Sequence, residues 1–233
     1  MKNNSNNKTF LFINLNKFTI IVLDDFNEVI FKKELSLKNS SKEFNFELLE
    51  NFINENIFKI EKEFNEFIKF IFLIIDHSDI FSVNLSIKKK ISDVPLNTNL
   101  INNLLVEAKN CCKETLEKLY VMHMKIDQFY VDNDIYKIFP DNIRSENLSI
   151  DLSFICIPKN FLQNLEKILK KYQISVSKTL SYQYLDSFFE IGSDELGLVS
   201  KKILSGFNEN EVILMNKVSR NQSFFEKFFN FFN

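Results

Sequence analysis

Residues 121–157 read VMHMKIDQFYVDNDIYKIFPDNIRSENLSIDLSFICI, and the fold is decided by how this stretch is divided. In LSIDLSFIC, Leu148, Ile150, Leu152, Phe154 and Cys156 alternate with Ser149, Asp151, Ser153 and Ile155. A strand there lays five apolar side chains on one face. Ahead of it, YVMHMKIDQFYVD reads as a second strand. The connecting DNDIYKIFPDN has spaced acids like a calcium loop but lacks the central Gly and the closing Glu, so it is read as connection only.

Working outward, DIFSVNLSIKKKIS reads as a strand, and Thr98 caps a helix whose stripe runs Ile101, Leu105, Ala108, Cys112, Leu116, Leu119. Downstream, Pro158 opens a helix with Phe161, Leu165, Ile168 and Tyr172 on one side, and ISVSKT is a strand. The span 79–178 is thus expected to be a βαββαβ unit. Before it, FLFINL, FTIIVLD and EVIFKKELSL are three strands with a turn at Asn16 and Lys17. A helix over about 44–66 carries Phe46, Leu49, Ile53, Ile57, Ile60, Phe64 and Phe67, and FIFLIID is a buried strand. After 178 come helical stretches near 180–189 and 194–205 and a short strand EVILMN. The class is mixed α/β (α+β), with a polar tail over 1–8. No Pro-, Gly- or Ser-rich linker separates the two units, so close packing is expected.

Composition narrows the function. With 45% apolar and 26% charged residues the chain is ordinary for a globular protein. A net charge of −2 gives no global basic field, so no nucleic-acid partner is expected. The βαββαβ order is also that of an RNA-recognition module, but LSIDLSFICI offers one Phe, one Asp and no basic residue for stacking and holding bases. Three cysteines, Cys111, Cys112 and Cys156, and a polar start MKNNSNNKTF point to a reducing, cytoplasmic setting. FIKFIFLII, the most apolar internal stretch, is far short of the roughly 20 residues that cross a bilayer. The three glycines, Gly192, Gly197 and Gly206, all lie late in the chain, so residues 1–191 have no Gly-rich phosphate cradle.

Other groups favour structural roles. Asp24–Asp25 and Asp76, His77, Asp79 are incomplete as acid/base or metal sets and read as solvated strand ends. Cys111 and Cys112 lack metal spacing and read as core or core edge. His123 reads as a surface or sheet-edge residue, and the lysine runs SIKKKIS and KILKKY as solvated faces.

SFFEKFFNFFN, residues 223–233, differs from these. On a helix, Phe224, Phe225, Phe228, Phe229, Phe231 and Phe232 fall within an arc of about 160°, and Ser223, Glu226, Lys227, Asn230 and Asn233 fall on the other side. Such a helix is about 16 Å long, too short to cross a membrane and suited to lying in its interface. Arg220, Lys217 and Lys227 would each add roughly 1 kcal/mol toward anionic headgroups, and Glu226 offsets part of that. Six partly buried rings offer several kcal/mol against the cost of ordering, at about 1.5–3 kcal/mol for each ring fully buried. Binding is expected to be reversible, with residence gained by several copies on one assembly.

With these pieces in place the chain resembles FtsA, the actin-like protein that tethers the bacterial division ring to the membrane. The likeness is carried by His123, five residues, Phe129, two residues, Asp132, seven residues, Pro140 and the alternating strand Leu148–Ile157, followed by FLQNLEKILKKYQISV. It implies the first half of an actin-like (ribonuclease-H-like) fold over 9–78 and 179–216, with 79–178 as the inserted subdomain that contacts other division proteins and neighbouring copies. FINLNKFTIIVL stands at the family's first phosphate hairpin, with Asn14, Asn16 and Lys17 where Asp, Gly and Thr are expected. SDELGLVSKKILSGF is similar to the helix that ends the actin fold, and residues 217–233 to the linker and membrane-targeting helix.

The second half of that fold, with its second phosphate loop and the site for the FtsZ tail, is expected to be missing between about 190 and 194. The resemblance therefore implies a non-enzymatic adaptor without cofactor, at the inner face of the cytoplasmic membrane at midcell. The alternatives are an actin-like ATPase holding ATP through altered contacts, and a pilus- or secretion-type actin-like scaffold.

Overall fold

The computed structural model describes residues 7–37, 43–192 and 195–212. They form two compact units, the first from residues up to Ile80 together with Ile157–Phe207, the second from Phe81–Cys156 and the residues from Asn208 onward.

In the first unit, β1 (Lys8–Ile13), β2 (Lys17–Leu23) and β3 (Val29–Ser36) form an antiparallel meander. α1 (Phe46–Phe64) returns the chain to β4 (Phe70–Ile75), which pairs parallel with β1. With β9 (Ser175–Ser181) on the far side of β4, the strand order is β3-β2-β1-β4-β9. FLFI of β1 and most of FIFLII of β4 are buried, as suits central strands covered on both faces.

α1 starts because Asn45 accepts a hydrogen bond from the Leu48 N–H at 2.9 Å, and it stops at Asn65 in the left-handed conformation (φ 51°). Leu49, Phe52, Ile53, Ile57 and Ile60 form its buried stripe. Phe18 of β2 meets Phe52 of α1, with ring centroids 6.0 Å apart. Ile21 and Leu23, of opposite parity on the same strand, face α5 (Leu196–Leu204) instead. Alternate residues point to opposite faces, so α1 and α5 cover opposite sides of the sheet. At Gly197 a Cβ would lie 3.3 Å from Ile21 Cγ2 and Leu23 Cδ1, so the glycine permits the close approach of helix to strand. Gly206, at φ 87°, follows the helix end and turns the chain away.

The second unit contains β5 (Phe81–Pro95), α2 (Thr98–Leu116), β6 (Leu119–Val131), β7 (Asp134–Tyr136) and β8 (Arg144–Pro158), with sheet order β5-β8-β6-β7. Leu148, Ile150, Leu152, Phe154 and Cys156 all lie within 1% of full burial, as their alternation requires. α2 packs on that face through Ile101, Leu104, Leu105, Ala108 and Cys112. Its cap is Asn97, whose side chain accepts from the Leu100 N–H, rather than Thr98, the first helical residue.

The inserted segment is 81–156, which corrects the span 79–178 and the order βαββαβ. α3 (Lys159–Lys170) and β9 (Ser175–Ser181) belong to the first unit, where β9 pairs parallel with β4 and completes its sheet. Of α3's expected stripe, Phe161, Leu165 and Ile168 are buried, while Tyr172 lies beyond the helix and is half-buried. The helical stretch near 180–189 is the short α4 (Tyr182–Asp186). Residues 208–212, expected with the half-domain, lie against the second unit through an antiparallel bridge between Glu211 and Lys125. The rest of EVILMN lies outside the described residues.

Gly197→Val should destabilise the chain by about 1–3 kcal/mol through overpacking against β2. Gly192→Ala, whose Cβ would come no nearer than 3.8 Å to the Glu195 side chain, should stay within about 0.5 kcal/mol of the parent. Urea denaturation of the two variants checks the contrast.

Candidate functional site

The carboxyl ends of β1, β4 and β9 lie side by side, where open α/β sheets bind ligands. A cavity of about 260 Å³ opens there, lined among others by Phe12, Asn14, Lys17, Thr19, Asp76 and Tyr182. Two of the three hairpin residues singled out in the sequence are thus in one cavity wall. The third, Asn16, shapes the turn itself.

The hairpin satisfies its own donors. Asn14 donates its N–H to the Lys17 carbonyl at 3.0 Å, and its side-chain oxygen accepts the Asn16 N–H at 2.9 Å. The Asp76 N–H donates to the Ile13 carbonyl at 3.0 Å. Lys17 Nζ lies 3.5 Å from Glu34 and 5.8 Å from the Phe12 ring centroid. Burial, followed by Asp186 and Asp76, pushes the Tyr182 phenol above its ordinary range. The Thr19 hydroxyl is buried without a hydrogen-bond partner among the described residues.

The N–H groups of Asn14 and Asn16 are already used, the lysine is engaged, and the cavity is smaller than the roughly 300–1,000 Å³ typical of ligand pockets. No group of three or more His, Cys, Asp or Glu among the described residues is placed to hold a metal ion.

The second unit carries the family-motif positions, and each has a folding task. Phe129 is in the core, its ring centroid 5.5 Å from that of Phe139. Asp132, at φ 52°, accepts from the Asn147 N–H at 2.9 Å and the Glu146 N–H at 3.2 Å, tying the β6–β7 turn to β8. Pro140 precedes the turn at Asn142, whose N–H donates to the Leu96 carbonyl. His123 is not on the surface: it is 1% exposed, with Nδ1 2.8 Å from Glu211 Oε1. The cause of that burial lies 88 residues away, in the segment that runs along β6.

Sequence reasoning missed the polar network on the sheet face opposite α2. Ser153 donates to Asp127, and its Oγ lies 2.9 Å from Asn84 Oδ1. Asp151 accepts from Ser86 at 2.5 Å and from Tyr130 at 2.8 Å, and Lys125 pairs with Asp127 at 2.6 Å. The Asp151 hydrogen bond, followed by burial, raises the Tyr130 phenol above its ordinary value. The off-face residues of LSIDLSFIC were the available signal.

The acidic groups act locally. Asp24 accepts the Phe26 and Glu28 N–H groups, closing the β2–β3 turn. His77 Nδ1 accepts the Asp79 N–H at 3.1 Å, and its ring packs 4.5 Å from Phe161. Cys112 and Cys156 are buried and Cys111 is exposed. Phe224, Phe225, Phe228, Phe229, Phe231, Phe232, Arg220, Lys217 and Lys227 lie outside the described residues. Among the described residues, no helix is long and apolar enough to cross a membrane.

No protein-family model matches the chain, and a comparison with curated proteins finds no match. Among solved structures it is similar to the PilM-PilN type IV pilus biogenesis complex, at 5% identity over 78% of this chain and 49% of that one, with a TM-score of 0.45. It is also similar to a Bacteroides thetaiotaomicron protein with actin-like ATPase fold and unknown function, at 14% identity over 78% and 55%, with a TM-score of 0.33. The chain spans about half the length of each.

Burial pushes the Cys156 thiol up to about 12, leaving on the order of one part in ten thousand as thiolate at pH 8. Iodoacetamide at pH 8 should therefore alkylate Cys111 in the native protein and reach Cys156 only after denaturant is added. Peptide mass mapping reads the order.

Proposed function

We propose that the chain is a non-enzymatic, FtsA-like adaptor of bacterial cell division. The first unit is its frame, residues 81–156 are its protein-contact unit, and residues 217–233 bring it to the inner face of the cytoplasmic membrane. The observation that carries the non-enzymatic part is the self-satisfied hairpin: Asn14 and Asn16 use the N–H groups that a phosphate would need. The sorting of six phenylalanines onto one helical face over 223–233 supports the membrane part.

In this reading no nucleotide is held, partners are other division proteins or further copies of the chain, nucleic acid is not a partner, and the usual site for the FtsZ tail is absent. A pilus- or secretion-type scaffold of the same fold is the second reading, and a fluorescent fusion separates them by accumulating at midcell or elsewhere.

Two measurements test the adaptor directly. Millimolar Mg-ATP should leave the melting temperature unchanged, whereas a ligand present at 100 times its Kd would stabilise the fold by about 2.7 kcal/mol. The full chain should co-sediment with anionic vesicles, and a chain ending at Asn216 should remain in the supernatant. Equal pelleting of the two would remove the membrane segment from the proposal.

A further inference from the structure

β5 is an edge strand. β8 pairs with one side of it, and no strand pairs with the other among the described residues. From Phe81↔Cys156 to Lys90↔Asn147 the register with β8 is unbroken over ten residues, about 33 Å of strand. In an antiparallel pair about every second residue turns its N–H and C=O away from the partner, so this run presents a row of open backbone groups. The usual devices that blunt an edge come only afterwards: the register shifts between Lys90 and Val94, Asp93 has a φ of 48°, and Pro95 ends the strand. Within 81–90 there is no Pro and no Gly.

The side chains along this edge differ between the two faces. Toward α2 lie Val83, Leu85 and Ile87, and Val83 and Leu85 are only partly buried, which leaves apolar surface at the rim. Lys89 is on the same side and pairs with Glu107 at 3.7 Å. On the opposite face Lys88 and Lys90 are exposed and have no ion-pair partner among the described residues, and their register neighbours Ser149 and Asn147 are uncharged.

We infer that the β5 edge takes up an extended acidic segment of a partner protein as an added strand. The partner places Asp or Glu opposite Lys88 and Lys90 and apolar residues opposite Val83, Leu85 and Ile87. Main-chain hydrogen bonds to the edge supply affinity, and the two-faced pattern supplies specificity. A second copy of the same strand is the wrong occupant, because residues 81–90 hold three Lys and no Asp or Glu, so antiparallel self-pairing centred on this run offers Lys88 and Lys90 no carboxylate. The inference rests on the reading of residues 81–156 as the protein-contact unit and adds the chemistry of the partner.

The test uses the full chain and a fluorescent nonapeptide, Glu-Thr-Glu-Val-Ser-Val-Thr-Val-Thr, whose two Glu would sit opposite Lys90 and Lys88. Fluorescence anisotropy should show at least tenfold tighter binding of this peptide than of the same peptide with Lys for both Glu. The double variant Lys88→Glu/Lys90→Glu should reverse that preference, and both positions are exposed, so the fold is retained. Methylating alternate backbone amides, in either of the two phases, should abolish binding in one phase. Equal affinity for the two peptides, no effect of the charge swap, or undiminished binding in both methylated phases would each overturn the inference. So would oligothymidylate displacing the peptide at comparable affinity, which would assign the lysines to general polyanion attraction. Vesicle sedimentation of the same preparations scores the adaptor reading separately, so a chain that pellets with vesicles but ignores the peptide sinks only the added strand.

Discussion

The parallel pairing of Phe70–Ile75 with Ser175–Ser181 is the constraint on which the rest of the architecture depends. Because β4 and β9 are neighbours, everything between them must leave the first sheet and return to it. The excursion can be long only if its two ends come back close together. The second unit meets this condition with its first and last residues, since Phe81 and Cys156 are register partners on β5 and β8. Directly opposed residues of an antiparallel pair lie about 5 Å apart, so an insertion that begins and ends there imposes little strain on its host. α3 then follows directly from β8, with Pro158 as the residue between strand and helix.

This constraint also explains what could be read from the sequence. The faces of individual elements were legible, because period-two alternation and the three-or-four spacing depend only on local geometry. LSIDLSFIC buries the five residues it should, and the α1 stripe is buried from Leu49 to Ile60, whereas Phe67, expected at its end, lies beyond the helix and is exposed. Membership of a sheet was not legible. A run of βαββαβ has the same local signals whether its last strand pairs within the run or with a strand some hundred residues earlier, and only the second gives β4 a partner on its open side. The same limit hid His123. Its alternating neighbours marked an exposed strand face, while the segment that covers it, with Glu211 2.8 Å away, comes from the far end of the described chain.

At the mouth of the hairpin, scarcity of glycine and scarcity of free donors are one fact seen twice. A side chain such as Asn can enter a tight turn by bonding its own backbone two residues on, and Asn14 does so with Asn16. That bond makes the turn stable without glycine, and the carboxamide oxygen takes the place next to the N–H that an anion would occupy. An anion arriving there would have to displace a bond already made inside the chain, and Lys17 would have to leave Glu34.

The second sheet treats its two edges differently. Along β6, β7 covers one end, and residues 210–212 cover the middle through bonds from Ile126 to Asn210 and from Val212 to Met124, with the Asn210 side chain also donating to the Lys137 carbonyl. From Met124 to Val131 that side is covered from within the chain. Along β5 no such cover exists among the described residues, and the protection is electrostatic, concentrated in Lys88, Lys89 and Lys90. Covering an edge excludes every strand alike, whereas charging it excludes only strands of the same sign. A fold that uses both devices on one small sheet keeps one side closed and leaves the other selective, and selectivity at an edge has consequences only where strands of another protein come within reach.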